Sequence, residues 1–290
     1  MRFTYAEAMT DPAHYGPLAQ AAEAAGFDGF LVPDSICYPA ESDARYPYTP
    51  DGDRGFLEDK PFLEPFSLIP ALGAVTERIR FVVSVLKLTV RHPVLVAKQA
   101  ASTAVLTGDR LVLGVGTSPW PEDYEVCGVP FERRGRRADE SLDVIRGLLT
   151  GDWFEHHGEV YDVPRIKQCP VPARPLPILV GGHAEPALRR AAQRGDGWIH
   201  GGGTDELEPL VARVLELRRE AGREADPFEV HVISMDAYSP AGIERLAAMG
   251  VTDVIVGFRW AYQRGPDTEP LAAKVAALQR YADEVIARVG

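Results

Sequence analysis

The 290-residue chain has only three cysteines, Cys37, Cys127 and Cys169. An odd number at such distances excludes a disulfide scaffold and fits a reducing compartment. No apolar run approaches the roughly 20 residues that a membrane helix needs. The amino terminus, MRFTYAEAMTDP, lacks the basic region and apolar stretch of a secretory leader. The expectation is a soluble, cytoplasmic protein. Positive charge is short as well: 31 Lys and Arg stand against 42 Asp and Glu, a formal net charge of -11. That balance disfavours nucleic acid and anionic membrane as partners. Metal-ligand spacing, a Walker sequence, a nucleophile elbow and a Ser/His/Asp set are all missing, so no metal site is expected and a metal-dependent hydrolase is disfavoured.

What the chain has in quantity is apolar residues, 46% of the whole, with 25% charged. A core of ordinary size follows, in one large domain or two smaller ones. The stretch from Arg80 to Trp120 organises the rest. Phe81 to Val90 is a β-branched apolar run of strand length. Pro93 opens a segment with Val94, Ala97, Ala101, Ala104 and Val105 at helical spacing, and Gly108-Asp109 ends it. Leu111 to Val115 is a second apolar run, closing in Gly114-Val115-Gly116-Thr117-Ser118. Strands apolar at every position belong to parallel sheets covered on both faces. The unit is therefore strand, crossover helix, strand, with a glycine-rich turn at the carboxyl end, where parallel α/β folds bind ligands.

The same unit recurs along the chain. Strands are expected to start near residues 2, 28, 81, 111, 176, 197, 228 and 252, each followed by a helical segment. Helices are expected over 12–25, 64–77, 94–105, 136–150, 185–193, 204–221, 239–250 and 271–289. Eight such units with no linker favour one domain over 1–290, a closed (β/α)8 TIM barrel rather than an open sheet. Two segments interrupt it. Residues 36–62 lose all periodicity and carry Tyr38, Tyr46, Tyr48, Phe56 and Phe62, as a lid or binding loop does. The alternative is an insertion packed on its own aromatics. Residues 153–163 alternate around His157-Gly158 and read as a β-hairpin outside the main sheet, after the fourth helix.

Several stretches then resemble the bacterial luciferase-like monooxygenase superfamily: GFDGFLVPDS (26–35), VTERIRFVVSV (75–85), RHPVLVAKQAA (91–101), DRLVLGVG (109–116), RRGRRADESLDVIRGLLTGDWFEHHGEVYDV (133–163), PILVGG (177–182) and RRAAQRGDGWI (189–199). The likeness is greatest to the branch that uses the deazaflavin coenzyme F-420, the methylene-tetrahydromethanopterin-reductase-like oxidoreductases. The resemblance implies a (β/α)8 barrel with the cofactor at the carboxyl ends of the strands, a small organic substrate under the lid, and a homodimer. The activity it implies is hydride transfer between F-420 and that substrate. FMN-dependent monooxygenation is the first alternative, and a barrel that binds a ligand without a cofactor is the second.

The resemblance places Asp34, at the end of strand two, beside the ring. The next residue, commonly histidine in the family, is Ser35, and a serine cannot act as general base near neutral pH without a partner. Without the family, Asp34 reads as a cap. Ser84-Val85 corresponds to the strand-three bulge with a non-prolyl cis peptide against the ring. Gly116, Thr117 and Ser118 follow strand four, Gly181, Gly182 and His183 follow strand five, and His200, Gly201, Gly202 and Gly203 follow strand six. Glycine lets backbone approach a planar ring or a phosphate closely. Thr204 reads as the N-cap of the next helix. These turns make the expected cofactor site, and Asp34, Ser35 and Glu122 the expected catalytic set. Glu122 is alternatively a solvated loop carboxylate. Lys87, odd in an apolar strand, either reaches the barrel mouth or points outward. Arg259 meets an acidic cofactor tail or pairs with Asp267 or Glu269. His156 and His157 read as surface residues, and the run Arg133 to Arg137 as a salt-bridged helix start.

Overall fold

The runs Gly29–Val32 and Asp253–Val256 are buried at every position, which suits strands covered by side chains on one face and helices on the other. The computed structural model describes all residues except 47, 48, 50, 203–206, 261 and 290. Tyr48, Gly203 and Thr204 therefore lie outside the described residues.

Eight parallel strands close into a barrel: β1 (Arg2–Ala6), β2 (Gly29–Val32), β3 (Arg80–Val83), β5 (Leu111–Gly116), β8 (Ile178–Gly181), β9 (Gly197–Ile199), β10 (Glu229–Val232) and β11 (Asp253–Val256). The order runs β3-β2-β1-β11-β10-β9-β8-β5, and β3 pairs with β5 to complete the ring. The eight expected strands are all present. The third is shorter than its apolar run. Ser84–Val85 is cis, as the resemblance implies, and beyond it lie only the two-residue β4 (Leu86–Lys87) and a 3-10 turn, Leu88–Val90.

Helices α1 (Tyr15–Ala24), α2 (Pro65–Gly73), α3 (Pro93–Leu106), α5 (Arg134–Leu149), α6 (Glu185–Arg194), α7 (Leu207–Glu220), α8 (Pro240–Ala248) and α9 (Leu271–Tyr281) cover the barrel. A short α4 (Pro121–Val126) stands where the sequence suggests only loop. The second helix stops at Gly73, four residues before the expected end, where the Arg110 guanidinium takes the Gly73 carbonyl at 2.7 Å. The lumen is filled by Leu31, Val82, Val112, Leu179, Ile199 and Ile255, with Ala6 and Val85 packed on them. One side chain comes from each of six strands, so the barrel is a packed core and not a pore.

Residues 36–62 contain one 3-10 turn, Gly55–Leu57, and otherwise no regular element among those described. The hairpin is real and slightly longer than expected, β6 (Phe154–His157) against β7 (Asp162–Ile166). Glu140 of α5 anchors it, because its carboxylate accepts the backbone N–H groups of Glu159, Val160 and Tyr161 at 2.9 to 3.0 Å. A Cβ at Gly158 would strike that carboxylate, so glycine is required at the turn. His156 is not a surface residue as expected. It packs on Phe154 and lies 3.5 Å from Glu140, whereas His157 is exposed.

Candidate functional site

Every residue of the expected cofactor set that the structure describes stands at the carboxyl end of the barrel strands, but the reasons differ from those the sequence suggests. The segment after β3 turns the Val85 side chain over the top of the lumen. A Cβ at Gly116 would lie 2.7 Å from Val85 Cγ2, and one at Gly181 would lie 2.9 Å from Val85 Cγ1. At Gly114 it would strike the Val83 carbonyl oxygen. These glycines make a cradle for the third strand's bulge, and Val85 forms an apolar floor at the mouth. Gly182 adopts a φ of 119°, a conformation open to glycine and strained for other residues.

Asp34 holds this floor in place. Its side chain is 1% exposed and accepts the Lys87 backbone N–H at 2.8 Å and both arms of Arg91 at 2.8 and 2.9 Å. A carboxylate so engaged is a clamp on the segment after the bulge, 53 to 57 residues away in sequence. Arg91 was not among the expected site residues. Ser35 beside it is half-buried.

Lys87 takes the first of its two expected courses. Its Nζ lies 2.7 Å from Asp123 and 4.9 Å from the centre of the Trp120 ring, on the loop and helix that follow β5. The Ser118 hydroxyl donates to Asp123 and accepts the Trp120 N–H at 3.2 Å, so Ser118 is committed to shaping that loop. Residues of the 36–62 segment pack on the same place. Arg54 stacks on Trp120 at 3.9 Å from the ring centre, its Nη1 donates to Ser42 at 2.5 Å, and Glu122 stands 3.7 Å away. Tyr46 packs edge-on against Phe56, Trp120 and Tyr262. Burial alone would raise the Glu122 carboxyl. The Ser42 hydroxyl, its own N–H and the charges of Arg54 and Lys87 outweigh that and hold it below the usual carboxylate range. Glu122 is therefore ionised near neutral pH and, with its pKa held low, is a weak base.

Across the mouth, His183 and His200 stack with ring centres 4.6 Å apart. The Gly201 N–H donates to His183 Nε2 at 3.1 Å, and His200 Nδ1 lies 3.2 Å from the Ile233 carbonyl. Burial lowers both imidazoles, and with His183 beside it His200 falls to about 4. The pair is neutral at pH 7 and offers ring nitrogens and a flat face, not charge.

Arg259 reaches neither solvent nor a free position. It pairs with Glu7 at 2.8 Å and approaches Asp267 at 3.9 Å. Buried Lys274 meets Glu7 at 3.3 Å, Thr10 at 2.5 Å and Asp267. Glu7, at the end of β1, and Lys274 carry no sequence signal, since each is one charge among many until the fold joins positions 267 residues apart.

At the opposite end of the barrel Glu229, His231 and Asp253 converge, their ligand atoms within 4.8 Å of one another. Arg2 takes Asp253 at 2.6 and 2.7 Å, and Arg80 takes Glu229 at 2.8 Å. The guanidinium groups supply the positive charge a cation would bring, so this is an ion-pair plug at the face that serves stability. The Arg133 to Arg137 run is ion-paired as expected, Arg133 with Glu159 and Arg136 with Glu140 and Glu159. No helix among the described residues is long and apolar enough to cross a membrane.

A family model described as luciferase-like monooxygenase matches residues 3–277. An uncharacterized protein of Mycobacterium tuberculosis is 62% identical over 290 residues, 100% of both chains. The solved coenzyme F420 dependent tetrahydromethanopterin reductase from Methanopyrus kandleri superposes with a TM-score of 0.73 at 17% identity, over 100% of this chain and 99% of that one. A monooxygenase from Streptomyces bottropensis gives 0.74 at 15% identity over 100% of both chains. At such identities the structural likeness speaks to the fold.

Proposed function

This chain belongs to the luciferase-like monooxygenase family, and from that premise we propose an oxidoreductase that transfers hydride between coenzyme F-420 and a small organic substrate. The observation that carries the reading is the Val85 floor. An apolar side chain is set across the packed lumen at the carboxyl end of the strands, cradled by Gly116 and Gly181, and fixed from behind by Asp34 and Arg91. A planar ring finds there a flat apolar support.

The residues around the floor fit a deazaflavin. The neutral His183–His200 pair flanks the mouth, and His200 Nε2 is buried with no partner among the described residues. The Gly181-Gly182 turn admits close backbone approach. When bound, the deazaflavin supplies a two-electron hydride donor or acceptor that hardly reacts with oxygen. Asp34, through the Lys87 N–H and Arg91, keeps the supporting segment from shifting. Glu122, ionised beside the lid, holds a fixed negative charge with Oε2 unpartnered among the described residues, while Ser35 contributes a hydroxyl without a base to activate it. The lid, fastened to Trp120, excludes water from the mouth.

Fluorescence titration of the purified protein with F-420, FMN and FAD tests this. Micromolar F-420 binding with weak FMN binding is expected. Tight FMN binding with oxygen uptake would move the protein to flavin-dependent monooxygenation, and binding of none of the three would refute both readings.

A further inference from the structure

Four buried polar atoms with no hydrogen-bond partner among the described residues converge where the lid meets the loop after β5: Arg54 Nε and Nη2, Trp120 Nε1 and Glu122 Oε2. Three of the four are donors. Leaving buried donors unmade is costly, so such a concentration calls for an acceptor that the protein itself does not supply.

Arg54 is the centre of the set. Three cation–carboxylate pairs stand at this side of the mouth, and Arg54–Glu122 at 3.7 Å is the loosest, against 2.7 Å for Lys87–Asp123 and 2.8 Å for Arg91–Asp34. The Nη1 of Arg54 is occupied by Ser42. The Nε–Nη2 edge, which presents two parallel N–H groups to a carboxylate, has no partner among the described residues. The side chain is only 9% exposed.

The position of the guanidinium also matters. Its Cζ lies 3.9 Å from the Trp120 ring centre and 5.8 Å from that of Tyr38. Tyr38 follows β2 and Trp120 follows β5, and these two strands flank β3 in the barrel. Arg54 thus spans the carboxyl end of β3, the side of the mouth where Val85 forms the floor.

We infer that the Nε–Nη2 edge of Arg54 recognises a carboxylate of the substrate, which makes the substrate class a small organic acid held under the lid against Trp120. This rests on the mouth being the active site. Lys87 adds a second positive charge over the same indole, and Glu122 opposes the ligand from the Nη1 side.

The test is isothermal titration of the full-length protein, with and without F-420, using benzoate and cyclohexanecarboxylate as probes and the corresponding amides as neutral matches. The carboxylates bind roughly tenfold or more tighter than their amides, the scale of a charge-assisted bidentate contact. Arg54→Gln abolishes that preference, and Arg54→Lys does not restore it because an ammonium lacks the paired edge. Glu122→Gln removes the opposing charge and tightens the carboxylates, a gain that misfolding cannot mimic. No preference in the wild type, or a preference that survives Arg54→Gln, overturns the inference. Titration of F-420 into the wild type is read separately: its failure refutes the hydride-transfer reading and leaves the carboxylate result standing.

Discussion

Gly116→Ala distinguishes two roles for the glycine at the end of β5. Its φ is not in the left-handed region, so alanine fits the backbone, and the added methyl would lie 2.7 Å from Val85 Cγ2. The neighbour is a β-branched side chain that also fills the space left open at Gly181, where an added Cβ would lie 2.9 Å from Val85 Cγ1. Val85 is half-buried, so it can yield only toward the mouth, at the cost of its packing on the lumen side chains. Overpacking of this kind costs about 1–3 kcal/mol, a fall in Tm of roughly 2–4 °C per kcal/mol for a chain of this size. Val85→Ala removes two half-buried methyl groups and costs about 1 kcal/mol alone. In the double variant the methyl added at 116 enters the space vacated at 85, so the combined loss is smaller than the sum by about 1 kcal/mol or more. Urea denaturation of the four proteins, with slopes compared to establish that the transition is shared, measures this coupling. Additivity within about 0.5 kcal/mol would refute the cradle. So would an unchanged Gly116→Ala stability accompanied by weaker F-420 binding alone, since the glycine would then serve the ligand and not Val85.

Two further outcomes follow from the mouth. His200, at about 4 in the fold against an ordinary 6.5, is not protonated where the unfolded chain already is. Its contribution is complete above about pH 6.5 and is lost as pH falls toward 4, by about 2–3 kcal/mol after solvent screening. His200→Asn therefore flattens the acid limb of a stability–pH profile, and an unchanged limb would contradict the assignment. Asp34→Asn leaves Arg91 without its bidentate partner and costs about 2–4 kcal/mol in urea denaturation. Adding Arg91→Met recovers part of that loss, which a purely catalytic Asp34 would not allow.

The eight strands were readable because each is a short run of apolar residues between glycine, proline or charged stops, and burial on both faces permits nothing else. The break in the third was not. Val83, Val85, Leu86 and Leu88 continue the apolar pattern, with only Ser84 and Lys87 intruding. The bulge came from family likeness, not from periodicity. Their positions after the expected strands, with the family likeness, placed Asp34, Glu122, His183 and His200 at the carboxyl end of the barrel, but not their partners. Arg91 lies 57 residues from Asp34, and Trp120 lies 66 residues after Arg54; no local spacing encodes either contact. His156 was misread for the same reason, because the carboxylate beneath it belongs to α5.

Two groups of long-range contacts fasten the lid, one to the residues after β5 and one to the segment after β11. Arg54 and Tyr46 grip Trp120 and Glu122, while Asp53, Phe56 and Lys60 grip Arg264, Tyr262 and the Gly265 carbonyl. The cover and the cylinder are thus separable inheritances. Residues 36–62 can diverge to suit a new substrate while the lumen stays constant, provided that two distant loop tips diverge with them. Within a lineage, positions 54 and 120 should change as a pair, and a graft of the lid alone onto a related barrel will close only if 120–122 and 262–265 travel with it.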